Sequence, residues 1–184
     1  PDNSQSALEV GKSNKIIDIR VNRDVPGKGV VRANGYEHDS EGHTTENPVI
    51  VNKNQEKRLE KYSKIKNEVN RFQMIKMYGN PAAKNLVIGF GSTKTVILDA
   101  LDAIDSSIES GKGNWKFLQV LYMMPLSDEI KKQIEKADNV IIVENNLTGQ
   151  LGRLIREKTG IKIKKRILKY DSRPFYCDEL AEEL

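Results

Sequence analysis

The order of apolar and polar runs predicts an α/β fold, a three-layer α/β/α arrangement around a mostly parallel, open sheet. Three observations carry that expectation. Short apolar runs at 86–90, 117–122, 139–143 and 161–168 have strand length and β-branched character. Stretches with apolar residues three and four apart lie between them, as core-facing helices require. Glycine or proline marks the changes of pattern, at Gly111 to Gly113, Pro125 and Gly160. Consecutive strand-then-helix units need crossover connections, which set strands parallel and place helices on both faces of the sheet. Strand order stays open at this level.

Along the chain, residues 1–54 read as an irregular, interface-forming extension, rich in Gly, Asn and Asp and holding Pro1, Pro26 and Pro48. Excursions of that length in compact domains are usually functional. Within it, Ile16 to Val21 has the partial alternation of an edge strand. Residues 55–80 read as one long helix and its stop. Leu59, Tyr62, Ile65, Val69 and Phe72 form a narrow stripe among Lys57, Arg58, Glu60, Lys61, Lys64, Lys66 and Glu68, and Tyr78-Gly79-Asn80-Pro81 ends the pattern. Residues 81–184 form the α/β domain. Its first strand, 86–90, leads to a helix that Ser92 or Thr93 can cap and that carries Ile97, Leu101, Ile104 and Ile108 on one face. After the second strand, Ser127-Asp128-Glu129 opens a helix with Ile130 and Ile134 inward. After the third, Leu147, Leu151, Leu154 and Ile155 mark a helix closed by Gly160. The fourth strand precedes a short acidic helix over 177–184.

Composition narrows the class of function. With 184 residues, 38% apolar and 30% charged, the chain can bury a full core without staples. Its 30 Lys and Arg against 26 Asp and Glu give a charge of +4, too small and too interspersed to imply nucleic acid. Cys177 is the only cysteine, so neither an internal disulfide framework nor a four-thiolate iron–sulfur cluster is built from this chain alone. No apolar run has membrane-spanning length and no secretory signal is present, so a cytoplasmic setting is expected. The start at Pro1, without methionine, suggests a segment of a longer polypeptide.

Ligands of open parallel sheets meet the loops at the carboxyl ends of the strands. Gly89-Phe90-Gly91-Ser92-Thr93-Lys94 could cradle a phosphate, but the spacing fits neither a dinucleotide fingerprint nor a Walker loop, so a tight turn is expected. Glu144-Asn145-Asn146-Leu147-Thr148-Gly149-Gln150 is an unusually polar strand-to-helix junction. Asn146 or Thr148 can cap the helix. Glu144, Asn145 and Gln150 show no evident capping duty, and with Thr148 and Gly149 they are candidates for ligand or subunit contact. A plain capped helix start is the competing reading. His38 and His43, in a loop with Glu37, Asp39 and Glu41, carry metal-compatible atoms, yet a hydrogen-bonded polar loop is expected and no metal; the two histidines are instead candidates for ligand contact or for contact between domains or subunits. Lys162, Lys164 and Arg166 alternate along the last strand and suit edge protection better than phosphate binding. Arg173, before Pro174, suits bidentate carboxylate or phosphate recognition, or a turn pinned by Asp171. No catalytic constellation stands out.

Five of these motifs, in order, resemble the alpha subunit of 2-oxoacid:ferredoxin oxidoreductases. They are Gly35-Tyr36-Glu37-His38-Asp39 through His43 with Glu46-Asn47-Pro48, Gln55 to Arg58, Gly89 to Thr93, Glu144 to Gln150, and Tyr170 to Phe175. The likeness spans about residues 26 to 184. Phe90, Ser172 and Pro125-Leu126-Ser127 depart from the family's habit of Trp, Gly and a second proline. The resemblance implies the part of that subunit similar to the C-terminal domain of transketolase. It implies a complex that oxidatively decarboxylates a 2-oxoacid with coenzyme A and ferredoxin, using thiamine diphosphate, magnesium and iron–sulfur clusters held on other chains. Partners would be the beta subunit, and gamma and delta subunits where present. This segment would serve mainly assembly and be inactive alone. The alternative is a stand-alone flavodoxin-like small-molecule-binding module.

Overall fold

The computed structural model describes residues 35–40, 42–105, 108 and 111–184. The strand expected at 16–21 lies outside the described residues. The chain divides into two compact units, Pro1–Ile65 and Lys66–Leu184.

In the first unit, a tight loop joins His38 and Thr44 in an antiparallel bridge. Asp39 N–H donates to the His43 carbonyl at 2.9 Å, and Thr45 N–H donates to the Glu37 carbonyl at 2.9 Å. Helix α1 follows, over Pro48–Val69. It begins at Pro48, where the notional helix began at 55. The reason is local. The Asn47 side chain accepts from Val49 N–H at 3.0 Å, and proline at the first helical position sacrifices no hydrogen bond. No described residue of α1 is buried.

The second unit holds β1 (Ile75–Gly79), β2 (Asn85–Phe90), α2 (Thr93–Ile104), β3 (Trp115–Val120), α3 (Glu129–Lys136), β4 (Asn139–Glu144), α4 (Gln150–Thr159), β5 (Lys165–Leu168) and α5 (Cys177–Glu183). The five strands lie in the order β1-β3-β2-β4-β5. All pairs are parallel except β1 with β3. Residues 75–79, expected to close the long helix, are therefore an antiparallel edge strand. Alternation explains it. Ile75 and Met77 pair with Val120 and Leu118 on one face. Tyr78 stacks on Phe117 on the other, with ring centroids 5.6 Å apart.

Two buried clusters cover the two faces of the sheet. Ile97, Ala100 and Leu101 of α2 and Leu180 of α5 pack on Val87, Phe117, Val143 and Ile167. Ile130 and Ile134 of α3, with Leu151 and Ile155 of α4, pack on Leu86, Ile88, Leu118 and Ile142. This is the expected three-layer α/β/α arrangement. Ile104 is partly exposed, at 42%, whereas Ile108 turns back into the core after the helix ends. The last strand is shorter than its sequence pattern, starting at Lys165.

Lys116 is an oddity of this core. It is buried on the α3 side of β3. Its Nζ lies 3.4 Å from Gln133 Oε1 and 3.5 Å from the Pro81 carbonyl. Burial, and then the nearby charges of Lys84 and Lys136, push its pKa down.

Candidate functional site

Because β2, β3, β4 and β5 are parallel, their carboxyl ends share one edge of the sheet. The loops there bring Asn145, after β4, together with Arg173, after β5. With Lys169, Tyr170, Ser172 and Pro174 they line an open cleft of about 500 Å³. Two motifs far apart in sequence therefore meet because β4 and β5 are neighbours. The union of β4 and β5 also extends into the loops, with Lys169 N–H donating to the Glu144 carbonyl at 3.1 Å.

Arg173 is pinned as well as exposed. Its Nε and Nη2 donate to Asp171 Oδ2 at 2.9 and 2.6 Å, and its backbone N–H donates to Asp171 Oδ1 at 3.1 Å. The guanidinium lowers the Asp171 pKa. Between them Ser172 takes a left-handed conformation, φ 65°. For a residue other than glycine that costs energy and is found more often at functional turns. Lys169 is drawn onto Glu179, at 2.9 Å, and that hydrogen bond raises its pKa. The cleft thus offers the Asn145 amide, the Ser172 hydroxyl and the remaining guanidinium nitrogen of Arg173. These are donors suited to a carboxylate, a phosphate or a peptide carbonyl.

Glu144 does something else. The sequence reading gave it no capping duty, but it is completely buried at the end of β4. Its Oε2 accepts from Leu151 N–H at 2.8 Å and from Asn146 Nδ2 at 2.8 Å, and its Oε1 accepts from Gly152 N–H at 3.0 Å. Asn146 Oδ1 in turn accepts from Gln150 N–H at 3.2 Å. The pair caps α4 from below, where backbone donors and the helix dipole favour an anion. Gly149 permits the approach. Its φ is +62°, and a Cβ there would meet Arg166 Nη1 at 3.2 Å. Thr148 and Gln150 are exposed on the same junction and do not line the Asn145–Arg173 cleft.

The remaining candidates lie elsewhere. Gly89 to Lys94 is the expected tight turn. Thr93 Oγ1 donates to the Phe90 carbonyl at 2.8 Å, and Lys94 Nζ lies 5.5 Å from the Tyr78 ring centroid. His38 and His43 belong to the first unit. The His38 carbonyl accepts from Asn54 Nδ2 at 2.9 Å, and the His43 N–H donates to Asp39 Oδ1 at 2.9 Å. The centre of that loop is Glu37. It accepts from Asn54, Gln55 and both terminal nitrogens of Arg58. Arg58 holds the Glu37 carboxyl below the usual carboxylate range. Sequence reading grouped Glu37 with the histidines. The signal for its real role was the spacing of Asn54, Gln55 and Arg58 on one helix face. Among the described residues, no group of three His, Cys, Asp or Glu is placed to hold a metal ion, and no helix is long and apolar enough to cross a membrane.

The fold and this edge define an α/β domain with a polar cleft at the carboxyl ends of its strands. No family model matches the chain. Curated relatives do. It is 33% identical over 157 residues to the alpha subunit of 2-oxoacid:ferredoxin oxidoreductase 2 of Aeropyrum pernix, covering 84% of this chain and 24% of that one. It is 34% identical over 165 residues to the alpha subunit of oxidoreductase 1 of the same organism, covering 87% and 25%. The alpha subunit of the Saccharolobus solfataricus enzyme is 31% identical over 157 residues, covering 85% and 24%. Among solved structures, the 2-oxoglutarate:ferredoxin oxidoreductase of Magnetococcus marinus, with 2-oxoglutarate, coenzyme A and succinyl-CoA bound, matches 85% of this chain and 26% of its own. That match has a TM-score of 0.64 at 20% identity, which speaks for the fold. The chain belongs to the alpha-subunit family of 2-oxoacid:ferredoxin oxidoreductases and spans about a quarter of the length of the curated relatives it matches.

Proposed function

We propose that this chain is the assembly domain of a 2-oxoacid:ferredoxin oxidoreductase alpha subunit. The complex would oxidise and decarboxylate a 2-oxoacid of the 2-oxoglutarate or pyruvate class, pass the acyl group to coenzyme A and the electrons to ferredoxin. The observation that carries the reading is the identity of about a third to such subunits across most of the chain. The cleft edge supports it. Tyr122, Met124, Leu147 and Tyr170 are exposed on loops after β3, β4 and β5, and Tyr170 lines the cleft with Arg173. Tyr, Met and Arg are the residue types enriched where proteins meet.

The family's cofactors fit this segment poorly. One thiol, Cys177, cannot hold a four-thiolate cluster, and the described residues offer no carboxylate cluster for a magnesium diphosphate. Thiamine diphosphate, magnesium and iron–sulfur clusters are accordingly assigned to other polypeptide, including the beta subunit and any gamma or delta subunits. Asn145 and Arg173 are assigned to a subunit or ligand contact.

The test is co-expression with the beta subunit, followed by ferredoxin reduction with 2-oxoglutarate or pyruvate and coenzyme A. The chain should co-purify and be inactive alone, and Arg173→Ala should weaken assembly or turnover. A chain that never joins the beta subunit would sink the reading, and unchanged assembly and kinetics in Arg173→Ala would remove the cleft from it.

A further inference from the structure

The outer edge of β1 carries a second feature, unrelated to the cleft. β1 closes one side of the sheet and pairs with β3 alone. In an antiparallel ladder, successive residues turn their backbone groups to alternate sides. The two ends of β1 fix which side is which. The Met74 carbonyl accepts from Leu121 N–H at 3.0 Å, and Asn80 N–H donates to the Trp115 carbonyl at 3.3 Å. Met74, Lys76, Tyr78 and Asn80 therefore turn their backbone groups toward β3. Ile75, Met77 and Gly79 turn theirs outward, and among the described residues no strand meets them.

The side chains beside this edge carry opposite charges. Lys76 and Tyr78 share the α2 face of β1, where Lys76 Nζ lies 5.0 Å from the Tyr78 ring centroid. On that face a cavity of about 450 Å³ is lined in part by Tyr78, Gly79, Leu98, Asp99 and Asp102. Lys76, Asp99 and Asp102 are exposed and, among the described residues, make no ion pair within 4.0 Å. One strand edge thus brings together outward backbone donors and acceptors, an unpaired cation and unpaired carboxylates.

We propose that β1 pairs with β1 of a second copy of this chain, antiparallel about a twofold axis at Met77, so that one sheet runs through both copies. This pairing goes beyond the assembly reading above and does not depend on it. The outward groups choose the register. With the axis at Met77, Met77 faces Met77 of the second copy and Ile75 faces Gly79, so every outward residue meets an outward residue of the other strand. With the axis at Lys76, Gly79 would face Gln73, and with the axis at Tyr78, Ile75 would face Pro81; both lie outside the strand. The side chains choose the same register. Lys76 then stands opposite Tyr78 of the second copy, at the mouth of the cavity that holds that copy's Asp99 and Asp102. An axis at Lys76 would instead set like charges directly opposite, which destabilises a strand pair. A patch complementary to itself is what a twofold dimer requires. A second copy therefore suits the edge better than an unrelated extended segment, which would meet the backbone groups and lack the reciprocal lysine and aspartates.

Sedimentation of the chain over a range of concentrations, alone and with its beta subunit, tests this together with residue-resolved hydrogen exchange. The native chain should dimerise. The amides of Ile75, Met77 and Gly79 should gain protection as concentration rises, while those of Lys76 and Tyr78 stay protected throughout. Met77→Pro removes an outward donor and spares the β3 ladder, so it should be monomeric where the native chain is a dimer. Lys76→Glu should weaken dimerisation about tenfold, and adding Asp99→Lys and Asp102→Lys to it should restore the dimer. A native chain that stays monomeric in both settings, or a dimer untouched by Met77→Pro, would overturn the pairing. A dimer lost in Met77→Pro but indifferent to Lys76→Glu would overturn the register at Met77. Outward amides protected only in a complex holding a single copy would assign the edge to a strand of another protein, which also overturns the proposal. A dimer formed without the beta subunit supports the pairing even where the assembly reading fails. If Met77→Pro loses its native circular dichroism, the charge variants decide.

Discussion

Replacing Glu144 isolates the buried carboxylate beneath α4. The side chain is fully buried and accepts three hydrogen bonds, from Leu151 N–H, Gly152 N–H and Asn146 Nδ2. Glu144→Gln preserves size and removes the charge. One of its two terminal atoms becomes a donor facing a backbone N–H, so at least one buried donor is left unpaired. That costs about 1–3 kcal/mol, and the lost charge at the helix start adds about 0.3–1 kcal/mol. A total of roughly 1–4 kcal/mol follows, or about 3–16 °C in Tm for a chain of this size. Glu144→Ala also opens a void and strands both backbone donors, and should cost more. Urea unfolding followed by the fluorescence of Trp115, the only tryptophan, measures it. Asn146→Ala is the comparison, since its side chain receives one backbone bond near the surface and should cost about 1 kcal/mol. If Glu144→Gln unfolds within 0.5 kcal/mol of the native chain, the carboxylate is not what caps α4.

Other consequences follow from the same structure. Lys116→Met should stabilise the second unit by about 1–2 kcal/mol, because it removes a buried ammonium that has no carboxylate partner among the described residues. The Lys116 pKa is lowered on folding, so the unfolded chain binds more protons below the ordinary lysine value and native stability rises with pH there. Thermal melts between pH 8 and pH 10 should show that rise, and Lys116→Met should lose it. In Gly89→Ala, the new Cβ would sit 2.6 Å from Ile97 Cδ1 and 2.9 Å from Thr93 Oγ1. Overpacking of that kind costs about 1–3 kcal/mol, readable in the same urea assay. The Glu37 pKa is lowered by Arg58, so its clamp persists as pH falls to the ordinary glutamate value and fails below it. Hydrogen exchange at Thr45 should accelerate only in that acid range, and protection that fades already at neutral pH would refute the clamp.

What could be read from residues alone was whatever depends on local period. The strand-then-helix alternation from Asn85 onward, the inward Ile130 and Ile134, and the glycine stop at Gly160 are each written within a few neighbouring residues, because helix and strand repeat over short distances. The start of α1 is written in Asn47-Pro48, but the apolar stripe further along is the stronger signal and points to a later start. Strand β1 was hidden for a different reason. Its Ile75-Lys76-Met77 alternation is short and follows a polar helix, and it becomes a strand only by pairing with β3, about forty residues later. The candidate site divides in the same way. Its residue types were visible in the polar junction after β4 and in the Arg173 turn. Their roles depended on strand order, which placed β5 beside β4 and so set Arg173 against Asn145. Tertiary structure also sent Glu144 inward, where its carboxylate is held by the backbone donors of α4 and the Asn146 amide. Sequence by itself thus determined the strands and helices from Asn85 onward, the layers and the family likeness. The fold alone decided which polar groups face a cleft and which hold the scaffold, because burial and long-range pairing are properties of the whole chain.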